Sequence, residues 1–287
     1  MRWNNLISVA AKEKIAFGAL FFITLFILAP VVVVLWIIFK NGISAINWEF
    51  LTAMPREGMR SGGIFPAIVG TLYLVAGATL CSLPLGILAA IYLSEYAKEN
   101  ALTRLINLAI VNLSGVPSVV YGLFGFSLFV VFLKFGASIV AGSLTLAIMN
   151  LPVIITSTRE SLKAVPDYFR EVSLSLGASR WQTVRHAVLP FALPGILTGT
   201  ILSIARAAGE TAPILFTVAA FYIPHLPHSV FDQAMALPYH LYIIATQIPN
   251  IPNSYRYGTA LVLILMVLLM NLVAIIIRSK FRKKYKW

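Results

Sequence analysis

The chain has 287 residues, 59% of them hydrophobic and 11% charged, with 22 Lys and Arg against 10 Asp and Glu and a net charge of +12. A water-soluble domain carries roughly 25% charged residues, so this composition excludes a soluble globular fold and fits a surface covered mainly by lipid. In so apolar a chain the basic excess reads as a cationic cytoplasmic face rather than a nucleic-acid site, and the single cysteine, Cys81, excludes an internal disulfide.

A helix needs about 20 apolar residues to cross a bilayer core. In chain order six stretches qualify: Ile15–Phe39, Ile64–Tyr92, Leu105–Leu133, Ala137–Ser157, Phe191–Tyr222 and Tyr257–Ile277. The first is too long for a signal-peptide core of about 7–15 residues and reads as a retained span. The third is the least uniform, with Asn107, Asn112, Ser114, Gly115 and Pro117, and its polar face is expected to pack against protein. Prolines 30, 84, 117, 152 and 213 fall within the predicted spans and bend them.

Most of the 22 Lys and Arg fall in alternate connections if both termini are cytoplasmic. The organisation expected is therefore a cytoplasmic N-terminus at 1–14, a six-helix domain over 15–277 with a cytoplasmic loop at 159–190, and a basic tail at 278–287. That tail, from Arg278 to Lys286, reads either as an anchor for anionic lipid or as a simple topological stop. The outer segment Ile223–Arg256 is long for a connection and carries Phe231, Leu237, Tyr239, Leu241, Tyr242, Ile243 and Ile244. It reads equally as a short helix at the outer face or as a platform for an external partner. His225 and His228 are separated by prolines and do not make a convincing metal pair.

The loop between the fourth and fifth spans carries a helical pattern. Pro166 and Asp167 form a start, Gly177 a stop, and Tyr168, Val172 and Leu176 recur at a spacing of four. Ser179 can cap a second short helix anchored by Trp181, Val184 and Val188, which Pro190 is expected to end. Physics alone leaves two readings open, a hairpin lying on the membrane or a docking surface for a cytoplasmic subunit. The chain contains no Gly-Lys dipeptide, hence no phosphate-cradling loop of the Gly-x4-Gly-Lys type. If ATP drives this protein, another chain binds it.

Within the fifth span Arg206 and Glu210 stand one helical turn apart and share a face. Placing an arginine at a bilayer centre costs on the order of 2.5–3.5 kcal/mol on insertion scales. A buried ion pair is poor value for stability alone, so a site for an anion is favoured over a packing role. The guanidinium fork offers paired donors to two oxygens of an oxyanion, and Glu210 can orient it and offset its charge, keeping binding reversible.

Two motifs then resemble a known family. Glu171, Gly177, Leu189 and Pro190 fall at the spacing of the EAA loop of binding-protein-dependent ABC importer permeases, with Val172 and Ser173 replacing the two alanines and Ala187 the isoleucine. The run Arg206-Ala-Ala-Gly-Glu-Thr-Ala-Pro213, read with Leu189-Pro-Phe-Ala-Leu-Pro-Gly195, is similar to the PstA-type permeases of phosphate importers. The resemblance implies an all-α integral membrane protein of about six helices with the MetI-like type I permease fold. It implies ATPase contact through Glu171, Gly177, Ala178, Ser179, Leu189 and Pro190, and a phosphate path past Arg206, Glu210 and Thr211. It also implies a second, PstC-like permease, PstB-like ATPases carrying ATP and Mg, a PstS-like external binding protein, and no cofactor or catalytic residue in this chain. Rival readings are a permease for sulfate or molybdate, an ion-gradient-driven secondary transporter, and a non-transporting membrane scaffold.

Overall fold

A computed structural model describes residues 9–284; the expected charges at Arg2 and Lys286 lie outside the described residues. The spanning elements are α1 (Val9–Gly42), α3 (Phe65–Ile91), a bent pair α4 (Ala101–Ser114) and α5 (Ser118–Gly125), then α6 (Ile139–Lys163), α9 (Leu189–Gly209) and α12 (Asn253–Lys284). Among the described residues five helices are long and apolar enough to cross a membrane, or six when the bent pair counts as one span. Shorter elements fill the ends: α2 (Trp48–Thr52), a two-stranded ribbon of β1 (Pro55–Arg56) and β2 (Ser61–Gly62), α7 (Tyr168–Ser175), α8 (Arg180–Thr183), α10 (Ala212–Thr217) and α11 (Leu237–Thr246).

Local chemistry sets these boundaries. Asn47, Asn100 and Ser138 cap α2, α4 and α6, each side-chain oxygen accepting from a backbone N–H three residues on. Pro66 and Pro190 stand in the first turns of α3 and α9, where a missing N–H is harmless. Several hydroxyls inside the bundle donate to their own helix, as Thr71 does to Ala67, Ser82 to Ala78 and Thr145 to Ala141. No water is needed to satisfy them in a dry interior.

Close approach of small residues fixes the register. On α9, Gly195 lies against Ser161 and Gly199 against Ser157, so α6 and α9 run antiparallel in contact. A Cβ at Gly199 would collide with the Ser157 side chain. Gly199→Leu is therefore expected to lower the thermal unfolding midpoint of the purified protein, through an overpacking penalty of about 1–3 kcal/mol. On the other side α6 runs parallel to α3, with Ser143 beside Gly77 and Ile154 beside Gly86. Gly42 abuts Tyr257, which sets α1 antiparallel to α12. Following these directions brings Val9 and Lys284 to the same end of the bundle as the loop after α6.

Among the described residues two larger apolar cores result, beside a third, small cluster of Val75, Ala207 and Ala208. The larger, at the far end from that loop, gathers Phe50, Met59, Ile64, Leu237, Ile244 and Tyr255. The ring of Phe50 meets that of Tyr255 edge-on at 5.0 Å. The outer segment contains the expected short helix, α11, which is largely buried on this core with Tyr242 left exposed, and the Thr71 hydroxyl accepts from the Leu237 N–H at 2.8 Å. Within it His240 is wholly enclosed, and burial pushes its imidazole down to about 4, so it is neutral. Nearer its surface Asp232 accepts from the N–H groups of His228 and Ser229, which holds its carboxyl below the usual range. The smaller core, at the loop end, joins Ile91, Leu162, Val165, Val184, Val188, Ala192 and Ile196.

Two predicted spans are not continuous helices. The stretch Leu105–Leu133 breaks at Gly115–Pro117, where α4 and α5 meet at 106° before a π-helical turn over Phe126–Phe132. The stretch Phe191–Tyr222 breaks after Gly209, and Phe221 and Tyr222 are not helical. In both places a glycine is followed within four residues by a proline, which lacks the N–H that would carry the helical ladder across the break. A third expectation fails in the opposite sense. Pro190 does not end the second loop helix, because α8 runs through a π-helical turn at Val184–Val188 into α9 as one 30-residue stretch, Arg180–Gly209. The wider turn accommodates the missing Pro190 N–H.

Candidate functional site: a broken span and an exposed loop

The charged pair sits at the break of the fifth span. Arg206 lies in the last turn of α9, and Glu210 follows it with extended backbone (φ −72°, ψ 133°). The Arg206 Nε donates to Glu210 Oε1 at 3.0 Å, with the two side chains 36% and 17% exposed. The pair therefore shares a face as its spacing predicts, although Glu210 is off the regular helix. Thr211 completes the break, and α10 begins at Ala212.

The other broken span closes on this point. A Cβ on Gly122 of α5 would meet the Ala212 carbonyl oxygen and the Pro213 Cα, each at 3.0 Å, so α5 rests directly on the break. One residue earlier, Tyr121 lies within electrostatic reach of Arg206, and its hydroxyl donates to the Leu113 carbonyl at 2.8 Å. That bond ties the two arms of the α4–α5 bend. Sequence reading missed Tyr121, since a tyrosine inside an apolar run carries no pattern of its own. On the neighbouring helix α6, Asn150 is buried and its side-chain carbonyl finds no partner among the described residues. An arginine, a carboxylate and two interrupted helices at one level can hold a small anion reversibly. Unwound backbone at membrane depth is tolerated where it lines a protein or aqueous cavity.

The loop residues form a second group at the end of the bundle. In α7 Glu171 is exposed, and Tyr168, Val172 and Leu176 are 68%, 40% and 83% exposed. The predicted apolar stripe is present and uncovered. Gly177 stops α7 with φ +84°, a left-handed conformation that a residue with a Cβ adopts only under strain. Ala178 leads to Ser179, which caps α8 in a reciprocal box with Gln182. Asp167 stands at the start of α7 as expected and makes no side-chain capping bond; its carboxylate meets Arg170 at 3.2 Å instead. Leu189 and Pro190 lie inside the continuous stretch that opens α9, at the edge of the smaller core.

Arg170 is the most heavily engaged side chain of this loop. Its guanidinium takes Glu95 at the end of α3 in a two-pronged pair, Nη2 to Oε1 at 2.7 Å and Nε to Oε2 at 3.1 Å. It also donates to the carbonyls of Leu162 and Val165, both at 2.9 Å. The hydrogen bond to Glu95 raises its pKa further, so the guanidinium stays charged. Sequence reading counted Arg170 only as a topological charge, and Glu95 not at all. Among the described residues no group of three metal-ligating side chains occurs.

The family model for the binding-protein-dependent transport system inner membrane component matches residues 82–287. A similar protein is the one named Probable ABC transporter permease protein YqgI from Bacillus subtilis, 35% identical over 91% of this chain and 93% of the relative. The phosphate transport system permease protein PstA 1 of Mycobacterium tuberculosis is 36% identical over 95% of this chain and 91% of its own length. Among solved structures, a bacterial ABC transporter that imports the acidic polysaccharide alginate superposes with a TM-score of 0.66 at 14% identity, covering 94% of this chain and 96% of the other. The MetNI methionine ABC transporter does so with a TM-score of 0.57 at 18% identity over 76% of this chain and 94% of the other. These two likenesses establish the importer-permease fold and nothing finer.

Proposed function

The chain belongs to the binding-protein-dependent transport system inner membrane component family and is a permease subunit of an ABC importer; from there we propose that its cargo is inorganic phosphate. The observation that carries this reading is the Arg206–Glu210 pair at the break of a spanning helix, in a chain 36% identical to a phosphate transport permease. A planar guanidinium suits a tetrahedral oxyanion, and its carboxylate partner weakens the hold enough for release.

Importers of this architecture combine permease, ATPase and substrate-binding subunits. Here the partners are a PstC-like second permease that completes the pore, PstB-like ATPases that hold ATP and Mg, and a PstS-like binding protein at the outer face. The loop end, with Val9 and Lys284 at the same end of the bundle, faces the cytoplasm, in line with the Lys and Arg distribution. ATP binding closes the ATPases and drives the exposed face of α7. Gly177, Ala178 and Ser179 shape the turn of that docking surface. Leu189 and Pro190 pass the motion into α9, whose far end carries Arg206, Glu210 and Thr211. No covalent chemistry falls to this chain.

The test is uptake of labelled phosphate into vesicles holding the complete complex with its binding protein. Uptake should require ATP, survive an uncoupler and resist competition by sulfate and molybdate. Competition by either of those anions moves the cargo to another oxyanion, and uptake that survives ATP depletion but collapses with the uncoupler removes the ATP-driven reading.

A further inference from the structure

We propose that Arg170 and Glu95 are a positioning pair that fastens the docking helix to the ends of α3 and α6, so that force received by the loop is delivered to three spanning helices together. The inference rests on the importer reading above and extends it to residues outside the docking motif.

The contacts of Arg170 are divided among separate elements. Glu95 ends the second span inside a π-helical turn, Tyr92–Tyr96, that widens the last turn of that helix. Leu162 lies in the final turn of α6, and its carbonyl, which accepts from the Val165 N–H at 3.3 Å, takes the Arg170 guanidinium as a further donor at 2.9 Å. A cation at that terminus also opposes the helix dipole. Val165 and Asp167 belong to the link between α6 and α7. One planar fork thus holds α7 to two helices that are parallel neighbours. A lysine, with a single nitrogen, cannot span those acceptors at once.

The opposite side of α7 is held differently. The Phe169 ring lies 4.7 Å from that of Phe191 in the first turn of α9. Both rings pack on the smaller core beside Val184 and Val188. Two consecutive residues, Phe169 and Arg170, therefore join α7 to α9 on one side and to α3 and α6 on the other. The next residue, Glu171, points outward. An exposed ion pair contributes little, but the Arg170 and Glu95 side chains are only 18% and 10% exposed, and each removal strands a partner in the interior.

The experiment uses the complete reconstituted complex carrying Arg170→Met, Glu95→Gln or Arg170→Lys. Its readout is phosphate moved per ATP hydrolysed, normalised to assembled complex. The ratio should fall about tenfold for Arg170→Met, the scale of one lost charge-assisted hydrogen-bonding partner. It should fall for Glu95→Gln as well and be partly kept in Arg170→Lys. A residue that only helps the protein fold lowers the amount of complex and leaves this ratio unchanged; an unchanged ratio, whatever the yield, overturns the proposal. A second readout is independent of the cargo. Spin labels at Lys98→Cys and Ser175→Cys, in a Cys81→Ser background, should keep one narrow distance with and without ATP in the parent and a broadened one in Arg170→Met. Equal distributions in both proteins overturn the clamp. Absence of phosphate uptake by the parent would instead remove the cargo assignment and leave the distance measurement to decide the clamp.

Discussion

Arg206→Ala is expected to reduce phosphate uptake by about ten- to a hundredfold, the range spanned by about 1.5–3 kcal/mol for a hydrogen-bonding partner of a charged group. The complex should assemble normally, because Arg206 lies at the end of α9 and away from the docking loop. A role confined to helix packing makes a different forecast. In that case the damage comes from leaving the Glu210 carboxylate, 17% exposed, without its cation. Removing both groups in Arg206→Ala/Glu210→Ala would then restore uptake toward the parent. On the anion-path reading the double variant stays as poor as the single one, since no donor remains for the cargo. Uptake assays on the two variants, with co-purified subunits measured in parallel, separate these outcomes.

The parts of this fold set by composition were legible in the residues themselves. Long apolar runs mark spans whatever they pack against, and α1, α3, α6 and α12 fall where the runs from Ile15, Ile64, Ala137 and Tyr257 predict them. The turn at Gly177 and the cap at Ser179 were legible because each is a local event within a few residues. The two breaks were not read as breaks, yet their marks were present. Gly115 with Pro117, and Gly209 with Pro213, are each a flexible residue and a missing donor within four residues. An apolar-length criterion passes over such pairs because it ignores backbone hydrogen bonding. Pro190 misled in the other direction, since a proline near a helix start ends nothing when a π-helical turn precedes it.

The site shows the same division. Arg206 and Glu210 declared themselves because a charge in an apolar run is unfavourable by itself. Their spacing of four fixed the contact. Tyr121, Gly122 and Asn150 reach the same level only through tertiary packing of α5 and α6 on α9 and α10, which no single segment encodes. Glu95 and Arg170 are separated by 75 residues, and nothing local links a carboxylate at the end of the second span to a loop after the fourth. Interrupted helices supply a reason for the pair to sit where it does. Once the α9 ladder ends at Gly209, the chain has a point that can change direction while both flanking helices stay intact. A charged pair at that point is able to respond to motion of α9, which a pair in mid-helix is not.

Glu171→Arg is expected to lower retention of the ATPase subunit in pull-downs by more than tenfold while the permease itself stays folded. The side chain is exposed, makes no ion pair among the described residues, and stands beside the uncovered Tyr168 and Val172. Among the described residues no side-chain hydrogen bond or ion pair involves it. Across an interface, truncating one member of a buried charge pair costs about 2–5 kcal/mol, and reversal adds repulsion. Glu171→Gln, which removes charge without adding an opposing one, should be the milder variant. The neighbouring position gives the sharper comparison. Arg170 reaches instead into the ends of α3 and α6, so Arg170→Met should retain the ATPase yet move less phosphate for each ATP. Two adjacent residues then divide one loop into a face that binds the motor and a face that delivers its stroke. Equal ATPase loss from both substitutions would mean that the loop is one undivided docking patch.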